Sequence, residues 1–393
     1  MMTKYFKAAL PLALASAALG ATPMAYAEIM LYEQEGTTFA TDGYINAFYV
    51  NSKIKRDAAS GESLDRRQSR VKMGFLPNYL GFNMSQQIDD LTLGARASFW
   101  VTINDSQDNG TGTDIDVRQF YGTVKGSWGE VLLGKDFGLF ARSNILLDHL
   151  LAGYGQVSDT LGLVDGGGVS FGNIGSGYPY PFPTSQITYR SPQFHGVRVA
   201  AGVMDPVDTT DNGALGKAYQ KNPRFESEVT YSLDLSKATI YSWVNGTHQT
   251  SDNTDATMRR VTSKGLGYGV QATLGDLMLT ASGFTAKGLN PFFTNNLGKA
   301  TLRDVDSQGY LLQGSYRFDK NRVALSYGKT KDDGNGLVTT GADYNTRALA
   351  YFREVNSHLQ LVAEYNQFKL EGHKTKALNE KTNTFAVGAV VNW

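Results

Sequence analysis

The chain has 393 residues with 37 basic and 37 acidic side chains and no cysteine, and its mean hydropathy is slightly negative at −0.29. This balance gives no support to a nucleic-acid partner, which needs a basic excess, and without cysteine there is no disulfide framework. Beyond the N-terminus no run of eighteen apolar residues occurs, so no segment reads as a membrane-spanning helix.

The first residues read as an export signal. Lys4 and Lys7 precede an apolar stretch from Ala8 to Ala18, and Ala25-Tyr26-Ala27 forms a small-x-small cleavage site ahead of Glu28. Residues 1–27 are therefore expected to be a signal peptide, and 28–393 a single folded domain. Setting aside the two lysines leaves 35 basic against 37 acidic residues.

From there on the period is two. Leu93, Ala95, Ala97, Phe99, Val101 and Ile103 share one face, while Thr92, Gly94, Arg96, Ser98, Trp100 and Thr102 share the other. The same alternation runs through Leu80/Phe82/Met84, Val197/Val199/Ala201/Val203, Leu266/Tyr268/Val270 and Phe385/Val387/Ala389/Val391/Trp393. Short turns are expected at Asp89-Asp90, Ser127-Gly129, Ser191-Gly196, Leu233-Lys237, Gly275-Asp276, Asp319-Asn321 and Glu354-Ser357. Long polar segments near 52–68, 104–115, 136–184, 205–222, 249–260, 287–305, 330–343 and 369–382 alternate with them. The breaks divide the chain into sixteen strands of roughly 9–12 residues, the length of a tilted transmembrane strand.

The expected fold is all-β: a closed antiparallel transmembrane barrel, apolar outside and polar within. A large β-sandwich also alternates, but its loops need not sort by length. Closure removes the unpaired edges that lipid would not tolerate. Tyr44, Phe48, Tyr189, Tyr231, Tyr241, Trp243, Tyr310, Phe318, Tyr351, Phe352 and Tyr365 lie toward strand ends and are expected to form two interfacial girdles.

Four segments carry a family resemblance. They are Ser69-Arg70-Val71-Lys72-Met73-Gly74-Phe75, Val117-Arg118-Gln119-Phe120-Tyr121-Gly122, Gly134-Lys135-Asp136-Phe137-Gly138 and Ile187-Thr188-Tyr189-Arg190-Ser191. In their order and spacing the chain resembles the general porins of Gram-negative bacteria, trimeric sixteen-stranded outer-membrane channels. The resemblance implies that the long third outer loop, residues 136–184, folds into the lumen and narrows it. It also implies a homotrimer among outer-membrane lipids and lipopolysaccharide, inserted by the barrel-assembly machinery. The family usually ends in phenylalanine. Trp393 stands in its place here, with Phe385 on the same face, as the expected assembly signal.

The expected pore constriction combines wall cations with loop acids. Parity puts Arg70, Lys72 and Arg96 opposite the apolar face of their strands, and Arg118 matches the family's wall arginine. The strand of Arg118 is ambiguous in phase, because Phe120 and Val124 share its parity. On the loop, Asp148 matches the family's constriction acid, with Asp136, Asp159 and Asp165 behind it. Leu151-Ala152-Gly153 follows where the family often has a second acid.

No enzyme motif, metal-ligand spacing or cofactor site is recognisable. The expected function is passive diffusion of small polar solutes. A substrate-selective channel, or a plugged structural or adhesive barrel, are the alternatives.

Overall fold

The computed structural model describes residues 28–57, 63–105, 115–206, 216–255, 257, 260–336 and 339–393. The expected signal peptide, residues 1–27, lies outside these. Nineteen strands form one antiparallel sheet. In chain order they are β1 (Ile29–Gln34), β2 (Thr37–Asp57), β3 (Ser63–Lys72), β4 (Asn78–Ile88), β5 (Leu91–Val101), β6 (Asp116–Gly126), β7 (Gly129–Phe137), β8 (Pro183–Arg190) and β9 (Val197–Met204). There follow β10 (Ala218–Tyr219), β11 (Arg224–Leu235), β12 (Ala238–Asn253), β13 (Arg260–Leu274), β14 (Leu277–Lys287) and β15 (Asp306–Phe318). The last four are β16 (Asn321–Asp332), β17 (Ala342–Asn356), β18 (Leu359–Gly372) and β19 (Glu380–Asn392).

The sheet closes on itself where β19 pairs with β2 from Asn392↔Tyr44 to Glu380↔Arg56. Both β3 and β4 pair with β2, one with each half, so together they make a single wall strand interrupted at residues 73–77. Strand β10 is a two-residue pairing inside the β9–β11 connection, and β1 is an N-terminal hairpin partner of β2. With these set aside the barrel has sixteen wall strands, as the alternation predicts. The seven short turns fall where expected. The first outer loop is shorter than expected, because β2 continues to Asp57 and β3 starts at Ser63. The hairpin of β1 was not foreseen.

Alternation sorts the wall into two chemistries. Leu312, Tyr316, Leu325, Leu349, Leu361 and Phe385 stand exposed on the outer face, while Gln313, Ser326, Asn366 and Thr384 are buried inside. Of the expected girdle aromatics, Tyr189, Tyr231, Tyr310, Phe318, Tyr351 and Tyr365 do face outward. Tyr44, Phe48, Tyr241, Trp243 and Phe352 face inward and are buried. Parity decides this, because each sits one residue away from an outward neighbour on its strand.

The break at 73–77 frees backbone groups that the ladder would otherwise satisfy, and buried asparagines take them up. Asn46 accepts from the Gly74 amide at 2.7 Å and donates to the Leu76 carbonyl at 2.8 Å, and Asn104 accepts from the Met73 amide at 2.7 Å. Into this gap comes Gly153, whose carbonyl accepts from the Phe75 amide at 3.1 Å. A Cβ on Gly74 would lie 2.5 Å from that carbonyl oxygen, so only glycine permits the approach.

Candidate functional site

Between β7 and β8 lies the longest connection, residues 138–182, including the single-turn helix α1 (Arg142–Leu146). Its residues are largely buried, which a surface loop's would not be. Wall carboxylates hold its backbone. Glu226 accepts from the amides of Leu139 (2.6 Å) and Phe140 (3.0 Å). Glu364 accepts from Tyr154 (2.9 Å) and Gly155 (3.0 Å), and Glu380 from Asp159 and Thr160, both at 2.8 Å. Each glutamate thus captures two consecutive amides that have no partner in a ladder, and charge makes these bonds stronger than neutral ones. Glu228 adds a bond from Ser143 at 2.6 Å.

The clamps sit on β11, β18 and β19. Further along, Asp159 and Asp165 meet Arg56, Arg66 and Arg70 from β2 and β3, and the His149 carbonyl accepts from Arg322 of β16 at 2.8 Å. The loop therefore lies inside the barrel against β11 through β19 and on to β3. A cavity of about 1500 Å³ runs from the short-turn end at Asp276, Lys320 and Ser357 up to the loop, lined by the wall of β4–β9 and, across from it, by Tyr241, Gln271, Ser315 and Arg322.

The two sides of this passage differ. The loop presents Ile145, Leu146, Leu151, Val169 and Phe171, whereas the wall presents Arg96, Arg118, Arg190 and Arg198, joined by Arg142 from α1. Two of the carboxylates paired with these arginines, Asp42 and Asp136, lie behind them, whereas Asp116 (48% exposed) and Glu130 (23%) reach the passage beside Arg118 (22%) and Arg190 (18%). Asp136, 1% exposed, accepts from Gln119 at 2.9 Å and Arg142 at 3.1 Å, and stands 3.9 Å from Arg190, while the two arginines are 21% and 18% exposed. Asp42, 4% exposed, receives Arg96 through both terminal nitrogens at 2.9 and 3.1 Å. Arg118 pairs with Asp116 at 2.7 Å, donates to the Tyr180 hydroxyl at 2.8 Å, and lies over the Trp100 and Tyr180 rings at 5.0 and 5.8 Å. A solute thus meets the guanidinium donors of Arg96 and Arg142 ahead of their covered carboxylates, and mixed charge at the Arg118–Asp116 and Arg190–Glu130 pairs.

Of the residues expected at the constriction, Arg96, Arg118 and Asp136 come together on this wall. Asp148 also reaches the cavity, but its carboxylate is engaged by four donors: Leu150 N (2.9 Å), Gln313 Nε2 (2.7 Å), Asn173 Nδ2 (2.8 Å) and the Tyr178 hydroxyl (2.5 Å). Arg70 and Lys72 face inward as parity predicts, yet the loop covers them. Arg70 binds Asp165 at 3.2 Å, and the Lys72 ammonium donates to the Leu163 carbonyl at 2.6 Å. Arg142, Arg190 and Arg198 escaped the sequence reading. Arg190 and Arg198 share the lumen parity of Thr188 and Ala200, a signal that was there to use; Arg142, on a loop, carries none.

His149 is buried against β14, β15 and β16, where its amide donates to Gln313 at 3.0 Å. Its Nε2 meets the Thr280 hydroxyl at 2.8 Å, and burial together with the Arg322 guanidinium pushes its pKa down to about 3.

A family model described as Gram-negative porin matches residues 13–373. No curated protein sequence matches the chain. Among solved structures, the outer membrane channel DcaP of Acinetobacter baumannii superposes with a TM-score of 0.68 at 14% identity, over 92% of this chain and 99% of that one. The anion-selective porin from Comamonas acidovorans gives 0.62 at 15% identity, over 91% and 100%. The in-vitro folded trimer form of OmpT, an outer membrane protein of Vibrio cholerae, gives 0.56 at 15% identity, again over 91% and 100%. At these identities the likeness is one of fold.

Proposed function

The chain belongs to the Gram-negative porin family, and from that premise we propose that its permeants are selected between the clamped loop and the arginine wall of β5–β9. The protein is an integral β-barrel of the bacterial outer membrane and a channel through which small polar solutes diffuse passively. The selecting groups are Arg96, Arg118, Arg142, Arg190 and Arg198, with Asp136 holding two of them in place. Asp148 serves the loop's own packing rather than the solute, and Arg70 and Lys72 anchor the loop from behind.

One observation carries this reading: the guanidinium groups of Arg96 and Arg142 line the passage while their carboxylate partners Asp42 and Asp136 are almost fully covered. Fixed donors in a narrow, low-dielectric slot focus a positive potential on whatever passes. The channel accordingly prefers small anions over cations of the same size, by a modest factor because the pairs cancel at a distance. The test is the reversal potential in a KCl gradient for the wild type, Arg118→Gln and Arg190→Gln. The wild type should favour chloride and both variants should move toward potassium. Three identical reversal potentials would remove these arginines from the selecting set.

The working unit is a homotrimer in this reading, surrounded by outer-membrane lipids. Residues 1–27 direct export and are removed. The terminal strand, with Phe385 outward and Trp393 against Gly43, is the segment offered to the barrel-assembly machinery.

A further inference from the structure

The long loop does not line its end of the passage alone. The connection between β14 and β15, residues 288–305, turns inward and pairs with it. The Tyr180 amide donates to the Phe292 carbonyl at 2.8 Å, and the Thr294 amide donates to the Tyr180 carbonyl at 3.0 Å. The Thr294 hydroxyl accepts from the Phe182 amide at 2.8 Å, and the Thr294 carbonyl accepts from Arg224 of β11 at 3.3 Å. These bonds on either side of it fix Phe293 against the passage.

A chain of rings results. Trp100 of β5 meets Phe137 of β7 with centroids 6.2 Å apart, and Phe137 meets Tyr180 at 5.8 Å. Tyr180 in turn meets Phe293 at 6.4 Å, and Phe293 meets Phe171 at 5.4 Å. Every contact is edge-on, an arrangement in which ring quadrupoles attract. All five rings line the cavity, and Phe137, Phe171 and Phe293 are only half-buried. Apolar surface left facing water is unfavourable, so packing between loops does not account for rings open to an aqueous passage. Arg118 stands over two of them, Trp100 and Tyr180. Its Nε donates to Asp116 and its Nη1 to the Tyr180 hydroxyl, while Nη2 has no partner among the described residues. A fixed guanidinium with a donor to spare beside three open rings has the composition of a small-molecule site, mostly apolar with one placed charge.

We propose that this end of the passage is a binding site for a planar aromatic carboxylate with a single negative charge, of the benzoate class. The carboxylate accepts from Nη2 of Arg118, and the ring joins the chain among Phe137, Phe171 and Phe293. Asp116, 48% exposed beside Arg118, repels a second carboxylate. The site therefore favours one charge over two, and it holds the ligand weakly enough for release into the lumen, as permeation requires. This rests on the anion-preferring passage proposed above and adds a solute class that charge alone would not select.

The test records KCl current through the folded mature protein in a planar bilayer while benzoate, cyclohexanecarboxylate, benzamide or terephthalate is added. Benzoate should lower the current saturably. Cyclohexanecarboxylate keeps the charge and the size but not the aromatic ring, and should need a concentration roughly 5-fold higher for half effect. Benzamide keeps the ring without the charge and should act at least ~10-fold more weakly. Phe293→Leu and, independently, Phe171→Leu should narrow the gap between benzoate and cyclohexanecarboxylate; stepwise KCl current from each variant shows that its barrel has closed. The wild-type comparison of the two acids needs no variant, so it decides the matter even where a variant does not fold. Equal half-effect concentrations for those acids in the wild type would overturn the proposal. So would a gap that neither folded variant narrows, or terephthalate acting more strongly than benzoate. The reversal potential in KCl alone reports on anion preference, so failure of that reading and failure of this one are told apart.

Discussion

Asp148 has its two oxygens filled by four donors from the loop and from β15, so its charge is used locally. Asp148→Asn turns one acceptor into a donor facing donors and removes the charge that strengthens all four bonds, at about 1–3 kcal/mol. The expected result is noisier open-channel current with little change in reversal potential. A clean shift toward anions without added noise would restore this residue to the selecting set. His149 makes a second prediction. With its pKa at about 3 it is neutral in the folded loop, whereas a released histidine titrates near 6.5. Between those values the released state binds the extra proton, so the packed loop loses stability as pH falls. Current noise should rise from pH 7 to pH 4 in the wild type and rise less in His149→Gln; equal slopes would contradict it. Arg118 shows why residue-level reading stalls. Ser98 opposes Gln119 while Phe99 opposes Val117, leaving Arg118 as the extra residue of a β-bulge. The bulge lets both Arg118 and Gln119 meet lumen partners although Phe120, two residues beyond Arg118, is 60% exposed. Strict alternation could not have shown it.

The loop between β7 and β8 is the element that narrows the barrel. Its length and apolar start were legible, because 49 residues with leucines at 146, 147, 150 and 151 do not suit a solvated connection. Its course was not. It is set by Glu226, Glu364 and Glu380, which are remote in sequence and carry no local mark beyond lumen parity. Each clamp contributes about 1.5–3 kcal/mol as charged hydrogen bonds. Glu364→Gln and Glu380→Gln should each increase loop fluctuation, and the double variant should pass larger solutes in a liposome-swelling assay. An unchanged size limit in the double variant would mean that packing, not the clamps, holds the loop.

At the scale of the whole molecule, closure depends on the meeting of the two chain ends. Gly43 and Trp393 exchange both backbone hydrogen bonds, at 2.8 and 3.1 Å, and the indole lies where a Cβ on Gly43 would be, 2.2 Å away. Gly43→Val should therefore lower the yield of heat-modifiable, fully closed barrel on refolding, while Trp393→Phe should be tolerated. Equal yields for Gly43→Val and wild type would show that the seam closes without this contact. The barrel itself was legible because sixteen strands repeat one constraint, apolar toward lipid and polar toward water. The hairpin of β1 and the gap at 73–77 were not, since both answer to a local contact rather than to that repeat. The central claim is an open passage bounded by a fixed loop and a wall of arginines. Planar-bilayer recording of the purified mature protein tests it most directly. Stepwise ohmic conductance, in threes for a trimer, with a reversal potential on the chloride side is the predicted result. A folded barrel that passes no current, or one that clearly prefers potassium, would contradict it.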